Sequence, residues 1–357
     1  MTGPVGETIK ELNCPRWLEN ASWLQEKQGL KVAACESRGE NSIDLMAAIY
    51  LATLDQQTTL NLRCFDDQRD PSAAQALAQR LASDGVKVII GHFAATAALS
   101  AARVYDNYPL LFLAPGCSDP RLCSSTGPGK HAVRFFGNDD EQADCLLGAI
   151  PAGARVRILA QQGNYGYRLG KVLHQRLTAH ASAATIDFLN AEGEQCRSRI
   201  LDTDLVLIAG SSEFAKRVAS ALPLTPGQTL LLSDDCRVEM ATELRLSTYT
   251  RVAALQCQLG SPDDDRFARL IERADNLIGR PPGPYFLTSY LACQALCISL
   301  RDSPEASTDL LRNVLLRQRI ESPYGTLEFD HTGNMRGHRW ILNTATALLG
   351  DNCLECS

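Results

Sequence analysis

Two hydroxyl-bearing turns and one acidic turn are the places where this chain could act on a small molecule. In Gly91-His92-Phe93-Ala94-Ala95-Thr96 an apolar run breaks at a glycine and passes into small residues that read as a helix start. Unpaired backbone N–H groups and the Thr96 hydroxyl would gather there, and such a group favours a carboxylate. Ser118, in the facing turn Ala114-Pro115-Gly116-Cys117-Ser118-Asp119-Pro120, adds a hydroxyl that can donate and accept. For either residue alone, helix capping is the alternative reading. Ser233-Asp234-Asp235 follows an apolar strand and supplies carboxylates of the kind an enclosed cation requires, again with capping as the alternative. Tyr165 offers a ring face and a phenol, or is a turn aromatic.

Other reactive residues point to less. Cys117 would lie beside a helix N-terminus, where a thiolate is favoured, and His92 is the histidine nearest to it; a Cys117/His92 nucleophile pair is the sharp reading of that proximity. The chain contains no G-x-S-x-G elbow, no phosphate loop, no G-x-G-x-x-G fingerprint and no H-E-x-x-H pair. Cys353 and Cys356 form a C-x-x-C pair in a terminal tail without a second pair, which reads as a reduced tail. Cys293 and Cys297 share a helix face and read as core. No metal or cofactor is expected, and binding is favoured over catalysis.

The elements that must position these turns alternate. Strands are expected at Lys31–Glu36, Thr59–Phe65, Val88–Ile90 and Leu110–Leu113, with helices from about Ser42 to Leu54 and after the Asp70-Pro71 cap, where Ala73, Leu77 and Leu81 share a face. Asp139-Asp140 caps a further helix, and the pattern restarts with strands at 155–160, 184–188, 204–209, 229–232 and 251–255. Later helices are expected at Tyr285–Leu300 and Thr308–Arg319. Gly325–Phe329 and Arg339–Asn343 read as two strands around the His331-Thr332-Gly333-Asn334 turn. Pro15–Lys27 reads as a helix with Trp17, Leu18, Ala21 and Leu24 on one face, packed on its own lobe or serving as a docking surface. In a doubly wound sheet, ligands bind outside the carboxyl ends of the strands, so Ala94–Thr96 and Gly116–Ser118 should face a crevice.

The Gly91-His92-Phe93 and Ala114–Pro120 segments, together with Phe135-Phe136-Gly137-Asn138-Asp139-Asp140, Asn164-Tyr165-Gly166-Tyr167, Gly283-Pro284-Tyr285 and Ser322–Asp330, resemble the type I periplasmic binding proteins, notably those for leucine, isoleucine and valine. The resemblance covers most of residues 31–343. It implies an α/β fold of two lobes, each a mostly parallel sheet flanked by helices, with a multi-stranded hinge. It divides the chain into an N-terminal extension (1–28), lobe 1 (29–136 with about 260–320), lobe 2 (137–259 with about 321–350) and a tail (351–357). It implies further that Ala95, Thr96, Gly116, Cys117 and Ser118 face the α-carboxylate and amino group of an amino acid, that Asp235 pairs with the ligand ammonium, and that Tyr165 and Ser211 line the second lobe's side. Ala95 stands where relatives carry a serine, Ser211 where they carry a tyrosine, and the turn after the first strand is short, so branched-chain amino acids are in doubt as the ligand. Arg69 and Ala94 stand where exported relatives carry a disulfide.

A chain of 357 residues, 45% hydrophobic and 21% charged, suits two lobes with their own cores. A net charge of −6 without a basic stripe argues against nucleic acid as a partner, and no run is long enough to span a bilayer. Thirteen cysteines, an odd number, fit reduced thiols in a cytoplasmic protein, and the opening residues do not read as a signal peptide. The expectation is an intracellular binding protein that closes on an amino acid or derivative and is read by a protein partner, or that works as a homodimer. The alternatives are a transporter's substrate-binding component lacking its signal, or an enzyme or biosynthetic accessory using the same cleft.

Overall fold

The computed structural model describes residues 9–108, 110–163, 165–179, 183–190, 202–225, 227–236, 251–258, 265–302, 307–322, 325–344 and 354–355. The chain divides into two compact units, Met1–Phe136 with Leu259–His338 and Gly137–Gln258 with Arg339–Ser357. The first unit therefore includes residues 321–338, which the sequence reading assigns to the second lobe.

In the first unit, β1 (Lys10–Glu11), β2 (Leu30–Cys35), β3 (Leu60–Asp66), β4 (Val88–Gly91), β5 (Leu111–Ala114) and β6 (Ala132–Arg134) form one sheet in the order β1-β3-β2-β4-β5-β6. Only β1 runs antiparallel. The central strands are apolar on both faces because helices cover both, as in any parallel sheet of crossover units. α2 (Glu40–Asp55) packs on α9 (Phe286–Asp302), while α3 (Pro71–Ser83) packs on α4 (Ala95–Tyr105). α3 begins as its sequence dictates: Asp70 accepts from the N–H groups of Ser72 and Ala73 at 2.9 and 2.8 Å, and Pro71 needs no donor in the first turn. Such a cap contributes about 1 kcal/mol. Leu77 and Leu81 then go into the core with Ala98, Ala101 and Tyr105 of α4.

The segment 15–27 is not one helix. A single turn, α1 (Arg16–Glu19), is followed by a 3₁₀ turn over Ser22–Leu24. Its tryptophans pack on their own unit: Trp17 and Trp23 flank Tyr50 at ring distances of 5.4 and 5.3 Å, and the Trp23 indole donates to Thr53 Oγ1 at 3.2 Å.

In the second unit, β7 (Arg155–Gln161), β8 (Ala183–Leu189), β9 (Leu205–Ala209), β10 (Thr229–Leu232) and β11 (Arg251–Gln258) are parallel in the order β11-β10-β9-β7-β8. Two antiparallel strands, β15 (Arg339–Thr344) and β16 (Leu354–Glu355), extend the β11 edge. Helices α5 (Asp139–Gly148), α6 (Tyr165–Ala179) and α7 (Ser212–Ala221) belong to this unit. The cap of α5 is Asn138, not the aspartates: Asn138 Oδ1 accepts from Asp140 and Glu141, and Glu141 answers to the Asn138 N–H.

The hairpin expected of 325–329 and 339–343 does not form. β13 (Gly325–Phe329) pairs instead with β12 (Ile320–Ser322) and β14 (Met335–Arg336), whereas β15 joins β11. The turn itself is as expected, with Asp330 Oδ1 accepting from the N–H groups of Thr332, Gly333 and Asn334. Gly337, at φ +82°, then takes the chain out of β14 before β15 begins. α8 (Asp265–Ile278) and α10 (Thr308–Arg317) complete the first unit, and none of the described helices is long and apolar enough to cross a membrane.

Candidate functional site

Each parallel sheet reverses its winding once, and that reversal is where an α/β sheet opens a crevice at its carboxyl edge. In the first unit the reversal falls between β2 and β4, because β2 leads to β3 on one side and β3 leads to β4 on the other. The two strands end in intimate contact. Gly91, at φ +142°, leaves no room for a side chain, since a Cβ would stand 2.0 Å from Cys35 O. His92 follows in a left-handed conformation (φ +52°) and donates its N–H to Cys35 O at 2.6 Å.

A buried polar network holds this edge. Glu36, fully buried after β2, accepts from the Phe93 N–H at 3.0 Å. Its carboxyl is pushed up to about 8 by burial and by the neighbouring Asp67 charge, against the opposing effect of the Phe93 hydrogen bond and the Arg69 guanidinium. His92 bridges Asp67 (2.9 Å) and Tyr105 (2.8 Å), also out of contact with water. Phe93 is thus fixed from below, and its ring meets Tyr285 at 4.9 Å, which in turn meets Phe136 at 5.5 Å.

The candidate carboxylate site follows directly. α4 starts at Ala95, with Ala94 at the N-cap position and no side-chain cap. Ala95 is half-buried and Thr96 exposed. On the neighbouring turn, Gly116 lies against the Phe93 ring, where a Cβ would be 2.8 Å from it, and Ser118 is largely buried. Arg134, itself 1% exposed, ties that turn together by donating to the backbone carbonyls of Ser118 (3.3 Å), Asp119 (2.9 Å) and Leu122. Cys117 departs from expectation: its thiol lies wholly inside the apolar cluster with Ala97, Ala101 and Leu122. The Cys117/His92 nucleophile pair is not supported, because His92 is committed to Asp67 and Tyr105 and neither side chain reaches solvent.

In the second unit the reversal falls between β7 and β9. Tyr165 opens α6 after β7, Ser211 caps α7 after β9, and the acidic turn follows β10, so three adjacent carboxyl ends carry the expected residues. Ser211 Oγ accepts from the Phe214 N–H at 3.3 Å, while its own N–H donates to Gln161 Oε1 at 2.9 Å. Asp235, half-buried, accepts from the Ser212 N–H at 2.9 Å. Asp234 is the more deeply placed acid, 6% exposed, and takes a 2.7 Å hydrogen bond from the Tyr165 hydroxyl. Burial and the adjacent Asp235 charge push the Asp234 carboxyl up to about 7, and Tyr165 is raised by burial and both aspartates. A carboxyl in that condition is one that a ligand cation would ionise.

Sequence reasoning missed Glu36, Arg134 and the role of Asp234. Glu36 carried a signal, a charged residue ending an otherwise apolar strand. Arg134 carried only the oddity of a charge in the short strand Ala132–Arg134. Among the described residues no cluster of histidine, cysteine and carboxylate side chains could hold a metal ion. The C-x-x-C cysteines 353 and 356 and Asn164 lie outside the described residues.

Two carboxyl edges of this kind, each on a sheet wound both ways, define a two-unit α/β architecture. No protein-family model matches the chain. By sequence it is 24% identical over 290 residues to the leucine-specific-binding protein of Salmonella typhimurium and 22% identical over 289 residues to the Leu/Ile/Val-binding protein of Escherichia coli, with 76% of each chain covered in both cases. By structure it is similar to an ABC transporter solute binding protein from R. palustris in complex with benzoate (TM-score 0.77, 14% identity, 92% of this chain and 96% of that one). It is similar also to a leucine binding protein from Thermotoga maritima (TM-score 0.74, 15% identity, 92% and 98%). The chain has the type I periplasmic-binding-protein fold and is similar in sequence to leucine- and Leu/Ile/Val-binding proteins.

Proposed function

We propose that this protein binds an amino acid or amino-acid derivative and works inside the cell as a sensor or regulator, closing on its ligand so that a protein partner can read the bound state. One observation carries the ligand class: Asp234 and Asp235 stand together at the carboxyl edge of the second sheet, with Asp234 raised to about 7. A paired acid of this kind suits an ammonium group. The start of α4, without a side-chain cap, suits a carboxylate, with Thr96 and Ser118 as the nearby hydroxyls of the first unit. The names of the relatives, which bind leucine or leucine, isoleucine and valine, support the class. Ala95 and Ser211 favour a ligand other than a branched-chain amino acid. The odd count of thirteen cysteines supports the cytoplasmic placement.

A titration calorimetry panel of amino acids, their amides and the matching deaminated acids tests this. One amino compound should bind, and Asp235→Asn, which keeps an acceptor for the Ser212 N–H, should weaken it by tenfold or more. Equal binding of the deaminated acid, or no binding across the panel, overturns the ligand class. The relatives' transporter names favour a second reading, a substrate-binding component of an ABC transporter. Fractionation of the source cells separates the two, with recovery in the cytosol supporting the sensor and recovery in the periplasmic extract the transporter.

A further inference from the structure

A second place for chemistry lies where the N-terminal segment meets β3. β1 pairs with β3 in the register Lys10↔Asp66 and Glu11↔Phe65, and the Leu12 N–H continues it by donating to Cys64 O at 3.0 Å. Side chains alternate along such a ladder, so Leu12 and Cys14 project on the face that Cys64 occupies. The result is a thiol pair: Cys64 is 5% exposed and Cys14 half-buried, with the Cys14 thiol 3.9 Å from Leu12 O. A cavity of about 170 Å³ opens on the pair, lined by Leu12, Cys14, Leu18, Leu62, Arg63 and Cys64. Residues 12–15 belong to no helix or strand, so the Cys14 backbone is not held by a ladder against the small adjustment that disulfide geometry requires.

We infer that Cys14 and Cys64 form a thiol–disulfide exchange site, whose substrate is a small disulfide such as glutathione disulfide entering through this cavity. The Cys14 thiolate attacks one sulfur of glutathione disulfide, forming a Cys14–glutathione bond and releasing one glutathione thiolate, which takes up the Cys64 proton. Cys64 sulfur then attacks Cys14 sulfur, forming the Cys14–Cys64 bond and releasing the second glutathione as a thiolate that is protonated from solvent. Two protein thiols are oxidised and one glutathione disulfide is reduced. The order of events follows from the surroundings. The neighbouring Cys64 thiol lowers Cys14 below the ordinary thiol range despite burial and the charges of Glu19 and Glu11, while Cys64 is raised by Cys14 and by burial. The Cys14 charge itself helps raise Cys64, and the mixed disulfide removes it. The finished bond would staple the N-terminal segment to β3 across a loop of about 50 residues, the kind of closure that constrains the unfolded chain.

The test is exposure of the native protein to glutathione/glutathione disulfide buffers, followed by alkylation and peptide mapping. The expected product is a Cys14–Cys64 crosslinked peptide, with Cys35 and Cys117, both fully buried, remaining reduced. Cys64→Ser should stop the reaction at a Cys14–glutathione adduct, and Cys14→Ser should leave Cys64 unmodified. Oxidised wild type should melt several degrees above the reduced form, and dithiothreitol should reverse the shift. Wild type that accumulates the Cys14 adduct without the crosslink, or that forms crosslinks elsewhere before this one, overturns the assignment.

Discussion

Replacing Asp234 by asparagine tests whether the second unit holds a proton in reserve for a charged ligand. In the unfolded chain this carboxyl titrates near 3.8, and in the fold near 7. Between those values the folded protein binds a proton that the unfolded chain does not, so stability falls as pH rises, by about 1.4 kcal/mol per pH unit. The contribution is fully present below about pH 4 and fully lost above about pH 7, and the interval amounts to about 4 kcal/mol. The substituted amide would be neutral throughout and would keep an acceptor for the Tyr165 hydroxyl, so Asp234→Asn should match wild type near pH 4 and exceed it by up to about 4 kcal/mol at pH 8. Urea unfolding followed by circular dichroism from pH 4 to 8.5 reads the difference, and subtraction removes the parallel titration of Glu36. A wild-type-minus-variant difference that stays flat across that range refutes the reasoning. The same site makes a second, opposite demand on binding. An ammonium ligand stabilises the ionised acid, so its affinity should rise with pH up to about 7, and calorimetry in buffers of different ionisation enthalpy should detect proton release that Asp234→Asn abolishes.

Three further outcomes follow from the first unit. Glu36→Gln should remove a pH dependence of the same sign between about 4.5 and 8, because the folded carboxyl titrates near 8, whereas Glu36→Ala should cost about 1–3 kcal/mol by leaving the Phe93 N–H without its acceptor; urea midpoints at pH 5 and pH 8 measure both. Arg134→Met should cost on the order of 3 kcal/mol, since three buried carbonyls lose one guanidinium, and hydrogen exchange at residues 118–122 should accelerate beyond the global change. Gly91→Ala should destabilise by more than about 3 kcal/mol, because the added Cβ meets backbone, not a side chain that can turn aside, and its urea midpoint against wild type measures the loss.

The legibility of this chain in its sequence follows the range of the forces concerned. β4 and α3 were readable because apolar runs, an Asp cap and a first-turn proline act within a few residues of themselves. The pairing of β15 with β11 was not, because residues 339–344 satisfy their hydrogen bonds about 85 positions back in the chain, and no local signal distinguishes that from a hairpin with residues 325–329. The site shows the same division. Thr96, Ser118 and the Asp234-Asp235 turn could be named because each follows a strand end, but Glu36 and Arg134 act through backbone donors and acceptors 57 and 12–16 positions away. Their placement carries a consequence for how the site evolves. Residues that would touch a ligand, such as Ala95 and Ser211, can change while the edge keeps its shape, because Glu36, Arg134 and Gly91 fix the backbone beneath the first of these edges without themselves forming the surface offered to a ligand. The binding edge can therefore stay intact while substitutions at positions 95 and 211 change its chemical preference.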